Sequence, residues 1–281
     1  FTADDNYVYA ISGYHYESFP EVGDTIRTAL NTIERYDVGQ GSWGDFETDN
    51  IIARRYGDAE HNDGFIYVFG GQTSEEHVGL VERIDTQNGA VSVLPNPNHV
   101  SYGASAEWDG EIYIWGGQGV DGEYKNSTFK LNTFTDEWTQ LADYPQFVNS
   151  LEGVAVDGYI YSFGGYGGSE NGVSDEIYRY NIAEDFWEFM GNTDIPVSSH
   201  AVAADYETGN IVITGGYAEL TYSAVYDVEH NDYHRVENFD FIGRRHSGSV
   251  FLGETLFTFG GAQPEGYNEN EDYITQNSVQ F

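Results

Sequence analysis

The sequence predicts an all-β protein built from six copies of one repeat, and its clearest sign is a run of β-branched and aromatic residues that ends in glycine. The run is strongest at residues 66–71 (IYVFGG), 112–117 (IYIWGG) and 160–165 (IYSFGG), and it returns in weaker form at 8–13, 212–216 and 256–261. Such a run is typical of a buried strand that enters a turn requiring a positive φ angle. Successive copies lie 45 to 58 residues apart, which indicates a repeat architecture.

A second marker recurs in the same phase. Downstream of the glycines lies another strand, which usually ends at Asp or Asn, and an aromatic residue commonly stands seven positions after its last apolar residue. These aromatic residues are Trp43, Trp138, Trp187 and Tyr233, and the second repeat has Val91 in their place. The two markers together resemble the kelch repeat over the whole chain. The resemblance implies a six-bladed kelch-type β-propeller with four-stranded antiparallel blades.

The strand order of such a blade distinguishes two faces. The turns between strands 1 and 2 are short, with Asp-Gly pairs at 63–64, 109–110 and 157–158. The loops between strands 2 and 3 are long and variable, and the longest spans residues 13–31. We therefore expect a protein or a glycan to bind on the long-loop face, where kelch propellers commonly engage ligands.

The repeat spacing also predicts an incomplete seam blade. Five intervals from the third-strand marker to the next glycine are 33 to 36 residues long, whereas only 13 residues are left where the last repeat meets the first. The first blade should lack most of its innermost strand, and the last blade its outermost strand. Because natural folds avoid open strand edges, we expect residues 1–281 to be one propeller domain excerpted from a longer chain.

The charge of the chain is extreme. Forty-seven acidic residues stand against 11 Lys and Arg, giving a net charge of −36. This charge repels nucleic acid and anionic membranes, and no apolar run approaches the roughly 20 residues of a membrane span. Adaptation to high salt or a marine extracellular setting, and a calcium-loaded surface, remain open as explanations. With no cysteine, disulfides and thiolate sites are excluded, and we expect an extracellular or cell-surface location.

The few cationic residues fall into two groups by repeat phase. The first group precedes the apolar marker residue of strand 3, and we expect its members to form scaffold ion pairs; it comprises Arg35, Arg83, Lys130 and Arg179. In the second group, Arg55 and Arg245 stand where strand 1 begins. They match the phase at which kelch adaptors of the ubiquitin system place pocket arginines.

Three further polar residues, Tyr102, Ser150 and His200, occupy similar phases in the third to fifth repeats. Together with Arg55 and Arg245 they would surround the mouth of the central pore. Such a cationic recess suits a carboxylate-bearing ligand, which arginine binds through paired hydrogen bonds. The alternative is that the two arginines pair with neighbouring acids such as Asp58 or Glu60.

Exposed aromatic residues form a second candidate site. Tyr14, Tyr166 and Tyr217 each directly follow the marker glycines. At the base of a loop they can stack on sugar rings or on the side chains of a partner. The alternative is that each packs over the neighbouring loop.

Metal and cofactor signals are weak. His230 and His234 lie across a hairpin as a surface pair, and the acidic loop at 262–273 offers oxygen ligands for calcium without the register of an EF-hand. The iron signature of kelch specifier proteins is absent, and a copper radical enzyme of the galactose-oxidase type needs a cysteine. We expect no cofactor, with calcium as the one open candidate.

The sequence thus favours a non-catalytic recognition or assembly module within a larger acidic protein. The kelch resemblance also implies an alternative, a sugar-acid epimerase or mutarotase of the sialate-epimerase type. In that case an arginine would hold the sugar carboxylate while His200, Glu152 or Glu107 moves protons. A third interpretation is a purely structural ring in an appendage or surface layer.

Overall fold

The computed structural model describes residues 1–19, 24–237, 242–262 and 274–278, with side chains at 1–13, 28–237 and 242–262. It is an all-β propeller with five complete four-stranded antiparallel blades and a sixth sheet of three described strands. The predicted fold class is therefore confirmed, but five blades, not six, are complete. No helix in the described part of the chain is long and apolar enough to cross a membrane.

Blade 1 contains an inserted hairpin. The strands of this region are β1 (Thr2–Ala3), β2 (Tyr7–Ile11), β3 (Tyr14–Phe19), β4 (Asp24–Ala29), β5 (Ile33–Asp37) and β6 (Ser42–Asp45). Strands β1, β2, β5 and β6 form the blade in that order, and β3 and β4 form a separate two-stranded sheet. The long first loop predicted from the sequence is this hairpin.

Blades 2 and 3 follow the predicted meander. Blade 2 consists of β7 (Arg55–Asn62), β8 (Phe65–Gln72), β9 (Leu80–Asp85) and β10 (Val91–Pro95). The next strands are β11 (Val100–Ser101), β12 (Ala104–Trp108), β13 (Glu111–Trp115), β14 (Gln118–Gly119), β15 (Thr128–Asn132) and β16 (Glu137–Gln140). Strands β12, β13, β15 and β16 form blade 3, and β11 pairs with β14 beside it.

Blades 4 and 5 have the same order. Blade 4 consists of β17 (Glu152–Val156), β18 (Tyr159–Phe163), β19 (Glu176–Asn181) and β20 (Phe186–Asn192), with the short helix α1 (Gly168–Asn171) in its long loop. Blade 5 consists of β21 (Ala201–Asp205), β22 (Asn210–Thr214), β23 (Ser223–Asp227) and β24 (Asp232–Arg235). The sixth sheet consists of β25 (Arg245–Leu252), β26 (Thr255–Ala262) and β27 (Ile274–Ser278).

The ring closes between blade 1 and the sixth sheet. Val8 and Tyr36 pack with Phe257 and Phe259 in one buried cluster, and the ring of Phe1 packs edge-on against Phe259 with centroids 4.9 Å apart. The innermost strand β1 has only two residues, as the repeat spacing predicts, and the sixth sheet has three strands in the described residues. Phe281 lies outside the described residues, and the expectation of a longer chain stays a prediction.

Within the described residues the core is divided into six clusters, one between each pair of neighbouring sheets. The aromatic residues of the second marker pack against these clusters, as predicted from their spacing; they are Trp43, Trp138, Trp187 and Tyr233. Val91 takes this position between blades 1 and 2. The repeat is therefore a packing unit whose apolar faces are buried only against its neighbours.

The predicted short turns and scaffold pairs also form. At Asp109 and Gly110 φ is 51° and 77°, the two left-handed residues that a tight hairpin turn of type I′ requires. Three of the four third-strand cations make ion pairs, namely Arg83 with Asp136, Lys130 with Glu111 and Arg179 with Glu188. The fourth, Arg35, lies instead over the rings of Tyr7 and Phe46.

Candidate functional site

A cavity of about 1170 Å³ lies on the propeller axis. Its wall is formed by the innermost strands β1, β7, β12, β17, β21 and β25, and its mouth is on the long-loop face. Small residues widen it on three sides, among them Ala106, Ala203 and Gly248. The cavity is large enough for a small molecule or for the end of a peptide.

Five residues surround the mouth, one from each sheet except blade 1, and we call them the mouth ring. They are Tyr56, Tyr102, Ser150, Ser199 and His246, and all five have left-handed backbone angles with φ between 51° and 59°. The backbone N–H of each residue from Tyr102 onward donates to the carbonyl oxygen of the preceding member, at 2.8–2.9 Å. These inter-blade hydrogen bonds hold a conformation that non-glycine residues rarely adopt.

Each of the two Arg-Arg pairs has one arginine buried in the protein core and one that lines the cavity. Arg54 is 1% exposed, donates to the Gly70 carbonyl oxygen at 3.0 Å and forms an ion pair with Glu82. Arg244 is equally buried and donates to the Gly260 carbonyl oxygen at 3.0 Å. Their neighbours Arg55 and Arg245 line the cavity instead.

The guanidinium groups of the two cavity arginines lie over tyrosine rings. Arg55 stands 5.0 Å from the ring centroid of Tyr56, and Arg245 stands 4.4 Å from that of Tyr217. Asp58 and Glu60, the acids named as alternative partners, are hydrogen-bonded to Ser105. Both arginines line the cavity, and whether they form a site for an anionic ligand stays a prediction.

Four aromatic rings from different sheets form a cluster at the mouth. The rings of Tyr56 and Tyr102 stack with centroids 3.9 Å apart and planes inclined by 21°. His246 lies 5.9 Å from the Tyr56 ring and packs edge-on against Tyr217, whose hydroxyl is 3.3 Å from His246 Nε2. Burial, and then the charge of Arg245, lowers the pKa of His246 to about 4, so the imidazole is neutral at physiological pH.

The remaining predicted residues have different positions. Ser150 belongs to the mouth ring, but His200 follows the ring member Ser199, is fully buried and does not line the cavity, so the expectation that it lies at the mouth is wrong. Burial lowers the pKa of His200 to about 3. Tyr217 is 53% exposed at the mouth, whereas Tyr166 packs against Tyr124 in a side loop. The side chain of Tyr14 lies outside the described residues.

Four of the carboxyl groups that line the cavity belong to the innermost strands of blades 2 to 4, and we call them the carboxyl cluster. They are Asp58, Glu60, Glu107 and Glu152. Burial in the cavity wall raises the pKa of each, and neighbouring carboxylates add to this for Glu60, Glu107 and Glu152. The pKa of Glu60 rises to about 8. Of the four, Glu107 and Glu152 are the candidate proton carriers predicted from the sequence.

The side chains that the structure describes contain no group of three or more His, Asp or Glu that could hold a metal ion. His230 is hydrogen-bonded to Asp227 and His234 lies beside Asp232, so the two histidines have separate partners. The acidic loop at 262–273 lies almost entirely outside the described residues, and calcium there stays a prediction.

Comparison with known proteins agrees with this architecture. The model of the KLHDC2/KLHL20/DRC7 Kelch-repeats domain family matches residues 61–261, well over half of the chain. The chain belongs to the kelch-repeat family. Kelch propellers are protein-binding modules in general, so the family supports a recognition role without identifying the ligand.

Relatives of this kelch propeller include a protein named as an epimerase and proteins named as kelch-like. N-acetylneuraminate epimerase 1 of Escherichia coli O6:H1 is 33% identical over 148 residues, which cover 50% of this chain and 38% of that protein. Kelch-like protein 35 of Mus musculus is 28% identical over 157 residues, covering 56% and 26%. Kelch-like protein 40 of Xenopus tropicalis is 27% identical over 196 residues, covering 66% and 30%. The matches thus span 26–38% of the length of these relatives.

Sequence reasoning missed Tyr56, His246, Asp58 and Glu60. The signal for the first two was available, since each directly follows a cavity arginine and is in phase with Tyr102 and Ser150. The sequence points to Asp58 and Glu60 only as alternative partners for the arginines. The site therefore combines a cationic and aromatic mouth with an acidic interior.

Proposed function

We propose that this kelch propeller is a recognition module that binds a carboxylate-bearing group of a protein or glycan partner at the mouth of its cavity. The observation that carries the proposal is the position of Arg245. Its guanidinium lies over the exposed Tyr217 ring, lines the cavity, and has no ion pair with any carboxylate of the described residues. In a protein of net charge −36, such a cation at a concave mouth suits an anionic ligand.

The aromatic cluster supports the same function. Tyr56, Tyr102 and Tyr217 offer ring faces beside the arginines, and such faces pack on sugar rings or on apolar side chains. The negative charge and the absence of cysteine support the further proposal that the module is extracellular or on the cell surface, as part of a larger acidic protein or assembly. Flanking sequence carrying a signal peptide, anchor or second domain would test that part directly.

Binding can be tested with matched pairs of ligands that differ only in the carboxylate. N-acetylneuraminate and a peptide with a free carboxyl terminus would each be titrated by NMR against the corresponding methyl ester. We expect the acid to bind more tightly than the ester. Arg245→Met should lower the affinity for the acid about 10- to 100-fold, the usual range for a charged hydrogen bond. Arg83→Met, which breaks a surface ion pair, is the control. Equal affinity for acid and ester would refute the proposal.

A second candidate function, interconversion of sugar-acid epimers, is favoured by the carboxyl cluster. One group there, Glu60, has a pKa of about 8 and can act as an acid near neutral pH, and Glu152 faces the same cavity. One such carboxyl would protonate the ring oxygen while another accepts the anomeric hydroxyl proton. The C–O ring bond then breaks, and the open form closes on its other face with the protons returned.

This chemistry agrees with the name of the epimerase among the relatives, and its test is the exchange rate between the two anomers of N-acetylneuraminate, followed by NMR. Acceleration by the wild-type protein, lost in Glu152→Gln and kept in the exposed control Glu137→Gln, would establish an enzyme. His200 takes no part, because it is buried away from the cavity. An exchange rate equal to that in buffer would leave the recognition module as the function.

A further inference from the structure

The hydroxyl of Ser105 lies between two carboxyl groups of the cavity wall. Ser105 Oγ is 2.9 Å from Asp58 Oδ2 and 2.8 Å from Glu60 Oε1, and both distances are those of hydrogen bonds. A serine hydroxyl has one proton to donate, and an ionised carboxylate can only accept. With both carboxyl groups ionised, the two acceptors would share the single hydroxyl proton. With one carboxyl group protonated, that group donates to Ser105 Oγ while Ser105 donates to the other, and both hydrogen bonds form fully. This geometry therefore favours one bound proton.

The surroundings of the pair favour retention of that proton. Neither carboxyl group forms an ion pair with Lys, Arg or His in the described residues, and Asp58 also accepts the backbone N–H of Ala59 at 2.9 Å. The titratable groups that act on the pair from neighbouring elements are Glu107 on β12, Glu152 on β17, Tyr206 after β21 and the amino group of Phe1. Of these groups the amino group alone is cationic, whereas Glu107 and Glu152 oppose full ionisation of the pair when they carry negative charge.

The pair also joins two blades. Asp58 and Glu60 belong to β7 of blade 2, and Ser105 belongs to β12 of blade 3. Loss of the proton would remove one of the two inter-blade hydrogen bonds and leave two carboxylates on the same hydroxyl. We propose that Asp58, Ser105 and Glu60 form a proton-sharing triad that makes the junction between blades 2 and 3 sensitive to alkaline pH.

The direction of the pH dependence follows from proton linkage. The pKa of Glu60 is raised from its ordinary value of 4.5 to about 8, first by burial and then by Asp58. At pH values between these two pKa values, the folded protein binds more protons at this site than the unfolded chain does. The stabilisation is therefore complete below about pH 4.5 and is lost as the pH rises through about 8.

The bound proton can be detected directly in the wild-type protein. Infrared difference spectra of the protein at pH 7 and pH 9.5 should contain the C=O stretch of a protonated carboxyl group that disappears at the higher pH. This band should be absent from Glu60→Gln and retained in Glu152→Gln, which separates the triad from its neighbour. A wild-type spectrum without the band at pH 7, or with a band that only Glu152→Gln removes, would overturn the proposal.

Thermal unfolding provides the second readout. We expect the melting temperature of the wild-type protein to fall by about 5 °C or more between pH 6 and pH 9, a size that corresponds to loss of one or two kcal/mol in a domain of this length. Glu60→Gln should remove at least half of that fall, whereas the exposed control Glu137→Gln should keep it. Equal slopes in all three proteins would contradict the triad. If Glu60→Gln does not fold, Asp58→Asn takes its place in both experiments.

Discussion

Arg54 and Glu82 form an ion pair in which the two side chains are only 1% and 3% exposed. The guanidinium also donates to the Gly70 carbonyl oxygen at 3.0 Å, and the carboxylate accepts the backbone N–H of Ile52 at 2.9 Å. The pair thus connects the entry to blade 2 with strands β8 and β9. Removing one partner leaves an uncompensated charge in the core, which is more costly than loss of the attraction itself.

We therefore predict that Arg54→Met lowers the free energy of unfolding by about 3–5 kcal/mol. The control is Arg83→Met, which breaks a partly exposed pair with Asp136 and should cost at most about 1 kcal/mol. Denaturant titrations measure both. The double variant Arg54→Met/Glu82→Leu should recover part of the loss, and a single variant as stable as the control would contradict the prediction.

A pair of glycines in blade 5 tests the close approach between blades. Gly215 and Gly209 have similar positive φ angles of 70° and 74°. A Cβ atom at Gly215 would lie 2.2 Å from the Arg244 carbonyl oxygen, whereas one at Gly209 would meet nothing within 4 Å. Both alanine variants carry the strain of a left-handed residue, about 1 kcal/mol, but only one has a backbone clash.

Gly215→Ala should consequently be destabilised by at least about 2 kcal/mol more than Gly209→Ala, because the backbone of the next blade must move. The measurement is the denaturant midpoint of the two variants beside the wild type. Equal midpoints would mean that Gly215 is required for its backbone angle alone.

Acid sensitivity is predicted at His200. Burial lowers the pKa of this imidazole from 6.5 to about 3, so it stays neutral in the fold while the unfolded chain takes up a proton below about pH 6.5. The unfolded state then binds more protons, and stability falls as the pH drops from 6.5 towards 3. The free energy of unfolding of His200→Gln should depend less on pH between 7 and 4 than that of the wild type. The control His234→Gln, at a side chain 61% exposed, should retain the wild-type dependence.

Salt should stabilise the protein. With 47 acidic residues against 11 Lys and Arg, self-repulsion is large in dilute buffer and is screened within a few ångströms in molar salt. We expect the melting temperature to rise steeply from about 0.1 M to about 2 M NaCl. A flat or falling curve would refute adaptation to salt, and a rise produced by millimolar CaCl₂ alone would favour a calcium-loaded surface.

The repeat was predictable because its signals are local. A glycine pair after an apolar run, and an aromatic residue seven positions after the next strand, each report the packing of one blade on its neighbour. Trp138 and Trp187 occupy the predicted inter-blade positions for that reason. The short innermost strand β1 followed from counting residues at the seam, where Phe1 packs on Phe259.

The mouth was predicted only in part, because neighbouring residues in an inner strand have different environments. Arg55, Tyr102, Ser150 and Arg245 line the cavity, but His200, one residue beyond the ring member Ser199, is fully buried and does not line it. Arg54 and Arg55 differ in the same way, since one is part of the core and the other faces the cavity. The amino-acid types alone do not distinguish these positions.

The sequence by itself determined the all-β repeat, the face with the long loops and the acidic character of the chain. Only the tertiary structure decided which side chains meet on the axis. It stacks Tyr56 on Tyr102 and places Ser105 between Asp58 and Glu60, residues more than 40 positions apart in the chain. The physical reason is that these contacts depend on the inter-blade hydrogen bonds of the mouth ring and on the closure of the propeller, which no single repeat specifies.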